Sequence, residues 1–297
     1  MSNTIAGIKR GNLYSPNHIG NDAAIFNLTA ENIRQCGYEV KEYSEMEFIE
    51  ACIQEPVIFN MVRDTVSIQK LQELEKRGHV VVNSGFGIQN CTRERMTRIL
   101  LSNNIPHPKS LIVKTDEPLP PSFRRLNTHC WVKRGDFHAI HREDVSFTRN
   151  LEETESILNE YSLRHIETAV INEHLQGDLV KFYGVAGSDF FYWFYPDEHS
   201  HSKFGWESIN GKAIGIPFDE DYLISVCNRA SIALNISIYG GDAVVMNDGN
   251  VKIIDFNDWP SFAPCRTIAA PYIARCILDK IPATALEPEI SIYGRNK

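Results

Sequence analysis

The chain has no G-x-x-x-x-G-K-[ST] segment, no G-x-G-x-x-G turn and no C-x-x-C pair. These absences exclude a P-loop, a dinucleotide-binding fingerprint and a zinc-ribbon or thioredoxin-like motif. No apolar run approaches the roughly 20 residues of a membrane helix, so no membrane partner is expected. The N-terminus, Met-Ser-Asn-Thr-Ile-Ala-Gly-Ile-Lys-Arg, lacks the basic-then-apolar order of a signal peptide. Basic excess is missing too: the net charge is −8, which argues against a nucleic-acid partner. Seven cysteines are scattered and odd in number, the pattern of reduced thiols in a cytoplasmic protein. No repeat or low-complexity tract is visible.

What is present is an ordinary soluble composition, 43% hydrophobic and 23% charged over 297 residues, enough for two domains or one large α/β unit. Over the first ninety residues, strand patterns at 5–9, 38–43, 56–62 and 80–83 alternate with helical periodicity at 22–36 and 67–77. Ser44-Glu-Met-Glu47 forms a capping-box signature between them. That alternation predicts a parallel α/β layer. Thr92 caps a helix to Asn103, and Ile105-Pro-His-Pro108 breaks the chain at a domain boundary. Beyond it come strands at 111–114, 130–133 and 169–172, and a helix capped by Asn150. An antiparallel hairpin over 179–185 and 188–195 follows, then a polar loop over 196–216 and a helix capped by Asp219. The last element is a helix over 266–279, interrupted by Pro271.

The chemistry concentrates in Val251-Lys-Ile-Ile-Asp-Phe-Asn-Asp-Trp-Pro260. Its composition favours a strand, and the period-2 geometry puts Asp255 and Asn257 on one face. Asn247-Asp-Gly-Asn250 is a hairpin turn that would bring Asp242 beside them. Three such oxygen ligands suit Mg²⁺, though a turn aspartate and a solvated strand face fit the same residues. Lys133 and Lys181 lie inside otherwise apolar strands, where an unpaired ammonium is costly. A snorkelling edge lysine is the other reading of each. Glu173-His174-Leu175 closes an apolar strand at a place where backbone and carboxylate could meet a purine and ribose. It also fits a plain strand end.

The order of these features resembles the ATP-grasp family: lysine strand, Glu-x-Leu, lysine hairpin, Gly-x-Asp strand, then Asp-Phe-Asn. The resemblance implies mixed α/β and α+β architecture, with an N-terminal α/β substrate-side domain over 1–105. Two ATP-grasp subdomains, 106–175 and 176–297, would follow. It implies ATP and Mg²⁺ as cofactors, with Mn²⁺ as a substitute. Lys133 then corresponds to the phosphate lysine, Glu173, His174 and Leu175 to the adenine hinge, and Asp242, Asp255 and Asn257 to the magnesium ligands. Arg95 would replace a first phosphate lysine, and Lys181 and Arg266 would act in catalysis.

Two branches fit: carboxylate–amine ligases similar to the ribosomal-protein glutamate ligase, and inositol polyphosphate kinases of ATP-grasp type. The first implies a small-molecule or peptide carboxylate and an amine co-substrate joined through an acyl phosphate. The second would need a basic pocket, for which Arg10, Arg63, Arg134 and Arg266 are candidates. A non-catalytic nucleotide-binding protein is a third possibility. The sequence departs from the family in having one glycine, Gly135, after Lys133, and aspartate rather than glutamate at 255. His138, His141, His199 and His201 match no family feature, and His199-Ser-His201 reads as a solvated loop or a metal pair.

Overall fold

A computed structural model describes residues 3–14, 19–126, 129–136, 142–196 and 209–281. The first sheet is parallel, in the order β2 (Glu39–Tyr43), β1 (Thr4–Ile8), β3 (Val57–Asn60), β4 (Val80–Val82). β3 is buried along its whole length, as its Val-Ile-Phe-Asn sequence requires of a strand covered on both faces. Helices α1 (Ile19–Gln35), α2 (Glu45–Glu50) and α3 (Thr65–Lys76) follow the first three strands. The capping box of α2 forms as its sequence predicts: the Glu47 N–H donates to Ser44 Oγ at 3.2 Å, and Glu47 Oε2 accepts from the Ser44 N–H at 2.7 Å.

Two features of this region differ from the sequence expectation. Helix α4 (Gly85–Asn90) was unexpected because glycine disfavours helix. A Cβ on Gly87 would run into the backbone carbonyl of Asn235, and one on Gly85 would meet Leu71 at 2.9 Å. Close packing selects glycine there against local propensity. Helix α5 (Arg93–Ser102) follows where Thr92 predicts it, although Thr92 makes no side-chain cap bond.

The second sheet is antiparallel, in the order β5 (Ser110–Lys114), β8 (Thr168–Glu173), β6 (Cys130–Arg134), β7 (Val145–Thr148). Helix α6 (Leu151–Leu163), capped by Asn150, packs Leu158 and Tyr161 against Cys130, Val132, Ala169 and Ile171. Alternation then directs Trp131 and Lys133 to the opposite face.

The third sheet runs β10 (Phe191–Phe194), β9 (Gly177–Val185), β11 (Ile238–Met246), β12 (Val251–Asp258), all antiparallel. Helix α7 (Glu220–Leu234) covers one face, and its core continues through Val180, Phe182 and Phe256 to Met96 and Leu100 of α5. Helix α8 (Arg266–Leu278) is continuous through Pro271 rather than interrupted, and it packs on α1. The apolar surface it buries there with Ile25, Phe26 and Ile33 offsets the hydrogen bond that proline cannot donate. All seven cysteines are free thiols. Among the described residues, no helix is long and apolar enough to cross a membrane.

Candidate nucleotide and metal site

The site is organised by a bulge. Asp242 pairs with Asp255 and Gly240 with Asn257, yet Ala243 pairs with Ile253. One step on β11 therefore spans two on β12, with Ile254 as the extra residue. Strict alternation would put residues 251, 253, 255 and 257 on one face. The bulge breaks the phase. Val251 and Ile253 enter the core under α7, while Asp255 and Asn257 emerge on the other face beside Asp242. On the far side of β11, Lys181 pairs with Asp242. The hairpin turn is also as its sequence predicts, with Gly249 at φ 78° and the Met246 N–H donating to Asn250 O at 2.8 Å.

Three cations converge on these two carboxylates. Lys181 Nζ lies 3.0 Å from Asp242 Oδ1, and Arg93 Nη1 lies 2.9 Å from Asp255 Oδ1. Lys133 Nζ, from the facing sheet, donates to Ile254 O at 3.2 Å. Asn257 pairs with Gly240 through the backbone, and its side chain makes no hydrogen bond among the described residues. Arg93 was not singled out in the sequence; Arg95 was. The structure leaves Arg95 exposed and bonded to Gln89 Oε1 at 3.2 Å. Two residues along a helix turn a side chain by about 200°, so only one of the pair can face Asp255. The periodicity of Met96 and Leu100, which lie on the buried side with Arg93, carried the signal.

With Lys133 protonated, three cations face two carboxylates, an excess of positive charge that suits a polyphosphate, and the hard oxygen donors Asp242, Asp255 and Asn257 are of the kind that Mg²⁺ takes. The residues fit both groups. Lys133 is 7% exposed, and its ammonium is pushed down to about 7, first by loss of solvation and then by Arg93. A bound triphosphate would reverse this by supplying negative charge. Below about pH 7 the lysine is already protonated; above it, binding must bring the proton in. Calorimetric titration with Mg²⁺-ATP at pH 8, in buffers of differing ionisation enthalpy, should therefore show uptake approaching one proton. Lys133→Met should abolish that uptake.

The hinge residues take different parts. The Glu173 carboxylate accepts from the Lys109 N–H at 2.9 Å and from Lys252 Nζ at 3.1 Å, so it ties β12 to the second sheet. His174 Nδ1 accepts from the indole N–H of Trp131 at 3.2 Å. Indole only donates, which puts the proton of a neutral imidazole on Nε2. Burial and His129 both lower the His174 pKa and favour that neutral form. The rings of Phe147 and His174 form a T-shaped pair with centroids 5.1 Å apart, and Phe147 tilts against Trp131 at the same separation. Leu175 O accepts from Asn210 Nδ2 at 3.0 Å, and Asp178 accepts three backbone N–H groups from Ile214, Gly215 and Ile216.

The arginines proposed for a basic pocket are already engaged. Arg63 Nη2 lies 3.0 Å from Asp258 Oδ1, and Arg10 bridges Asp22 at 3.2 Å and Asp258 at 4.0 Å. Arg134 is held by Asp136 at 2.8 Å and by Asp144 at 3.5 Å. Arg266 Nη2 donates to Asn21 Oδ1 at 2.7 Å, a neutral acceptor. His138, His141, His199 and His201 lie outside the described residues. Read along β12, the partners therefore run Lys252 with Glu173, Ile254 with Lys133, Asp255 with Arg93, and Asp258 with Arg63.

Two four-stranded antiparallel sheets, bridged where Lys133 of one meets Ile254 of the other and preceded by a parallel α/β layer, constitute the ATP-grasp fold. Solved structures agree. The chain matches D-alanine–D-alanine ligase from Bacillus anthracis complexed with ATP at a TM-score of 0.64 and 15% identity, covering 93% of this chain and 96% of that one. A RimK domain ATP-grasp protein from Sphaerobacter thermophilus matches at 0.65 and 15%, covering 92% and 99%. The ATP-grasp ligase PsnB complexed with a minimal precursor matches at 0.60 and 16%, covering 93% and 99%. No family model matches the sequence, and no curated protein matches it.

Proposed function

We propose that the protein is a Mg²⁺- and ATP-dependent carboxylate–amine ligase. The observation that carries this reading is the row Lys181–Asp242–Asp255–Arg93 with Lys133 opposite, drawn from both antiparallel sheets and from helix α5. Asp242, Asp255 and Asn257 would hold the metal, which screens phosphate charge when bound. Arg93, Lys133 and Lys181 would neutralise the charge that spreads over the phosphoryl oxygens during transfer. The hinge from Glu173 to Leu175, with Trp131 and Phe147 nearby, would hold the base, while Arg266, whose charge the neutral Asn21 amide leaves uncompensated, would exchange that bond for a substrate carboxylate. The three segments 1–105, 106–175 and 176–297 would then act as a substrate-side domain and two halves of a nucleotide clamp.

In the reaction, a substrate carboxylate oxygen attacks the γ-phosphorus and ADP leaves with the bond electrons. An amine then attacks the acyl carbon, inorganic phosphate departs and the amine loses a proton to solvent. Positioning and electrostatics carry both steps without a protein nucleophile.

The named functions of the matched structures, D-alanine–D-alanine ligase and the ligase PsnB, support ligation over phosphorylation of a hydroxyl. So does the pairing of Arg10, Arg63 and Arg134 with aspartates, which leaves little free positive charge for a polyphosphorylated acceptor. Incubation with ATP, Mg²⁺ and pooled carboxylates and amines should release ADP and phosphate together with an amide, resolved by mass spectrometry. A phosphate ester would instead identify a kinase, and no ATP binding by calorimetry would defeat both.

A further inference from the structure

We propose that His107 is a positioning residue for β12: its imidazole pins the open edge of the strand beside the bulge and so determines where Asp255 points. Among the described residues, β12 is the last strand of its sheet, and its outer edge has no strand partner. The linker Ile105-Pro-His-Pro108 runs along that edge instead. Pro106 O accepts from the Ile253 N–H at 2.9 Å. In a regular antiparallel pair the same residue would return an N–H to Ile253 O, and proline has none. The missing donor comes from the next side chain. His107 Nδ1 donates to Ile253 O at 2.7 Å.

The ring is 7% exposed, and its surroundings keep it neutral: burial first, then Lys133, and after them Arg93, outweigh the opposing pull of Asp255 and the bond to Ile253. Donation from Nδ1 leaves a bare lone pair on Nε2, and that atom finds no hydrogen-bond partner among the described residues. A valine would fill the place with no orphaned nitrogen, so the contribution of the imidazole lies in its single bond to β12. The position of that bond matters. Ile253 is the last residue before the bulge, and Lys133 holds Ile254, the bulge itself. A one-residue slip on either side would turn Asp255 and Asn257 to the opposite face.

The inference rests on the reading of Asp255 as a metal ligand, and the test separates the two. Calorimetry would give the affinity for ATP with Mg²⁺ and with EDTA, and the ratio of the two reports the coupling between metal and nucleotide. For His107→Val we expect that ratio to narrow by about tenfold, within the usual span of coupling between ligands. His107→Asn places an amide N–H where Nδ1 was and should restore most of the ratio. His107→Gln, whose amide reaches the Nε2 position instead, should not.

A wild-type ratio in His107→Val, or equal ratios in the Asn and Gln variants, would overturn the proposal. If His107→Val does not fold, the Asn–Gln comparison decides alone. Asp255→Asn in the same assay should remove the ratio; if it does not, the metal reading falls whatever His107 does.

Discussion

Asp255→Asn is expected to reduce Mg²⁺-dependent turnover by about 10²–10³-fold, on the order of 3–4 kcal/mol of transition-state stabilisation. Asn keeps the shape of the side chain and loses the charge. That charge holds Arg93 Nη1 at 2.9 Å, and the Asp255 Oδ1 atom also accepts from the Phe256 N–H at 3.0 Å. An amide can still meet a backbone donor through its oxygen, so the strand should persist. Asp255→Ala should abolish turnover with the fold retained, but it also leaves the buried Arg93 guanidinium without its carboxylate partner. Phosphate release and thermal melting, measured together on both variants, would check this. Activity close to wild type in Asp255→Asn, with the protein folded, would remove Asp255 from the metal site.

The largest effect on stability should come from a residue outside that site. Asp258→Ala is expected to cost about 3–5 kcal/mol, the usual penalty for stranding buried charge. Asp258 is 1% exposed and lies against Arg63 Nη2 at 3.0 Å and Arg10 Nη2 at 4.0 Å. Both arginines come from loops that follow strands of the parallel sheet, after β1 and β3, so this carboxylate joins the first sheet to the end of β12. Removing it leaves Arg63, whose guanidinium is already disfavoured by burial, without its compensating charge.

For a chain of this size, about 2–4 °C are lost per kcal/mol, which places the melting shift near 10 °C. Because the pair is buried, the loss should change little with salt. By contrast, breaking the exposed Glu94–Arg98 pair should shift the melt by about 1–2 °C at most. A drop that small for Asp258→Ala would mean that water reaches the pair.

Local signals in this sequence were reliable wherever a few neighbouring residues determine the outcome. Ser44 with Glu47, Asn150 and Asp219 each cap the helix their spacing announces, because a cap is completed within four residues. The Asn247–Asn250 turn and the apolar strands were legible for the same reason. The pairing of Asp242 with Asp255 followed from that turn, and with it the core of the candidate site. Helix α4 and strand β7 were not legible. Glycines that a packing contact requires look locally like a loop, and Val-Ser-Phe-Thr is too short to announce itself.

The sequence by itself therefore determined the layers, the order of lysines and carboxylates, and the hairpin that brings two aspartates together. Period, caps and turns are properties of contiguous residues. The tertiary structure decided which side chains share a face and which charges meet. The bulge at Ile254 is a mismatch between two strands and exists in neither alone. Arg93 rather than Arg95 reaches Asp255 across 162 residues because α5 docks one side against the core. Arg63 meets Asp258 across 195 residues, and His107 meets Ile253 across 146. In each case the partner is chosen by how separately folded elements pack, and no local pattern encodes it.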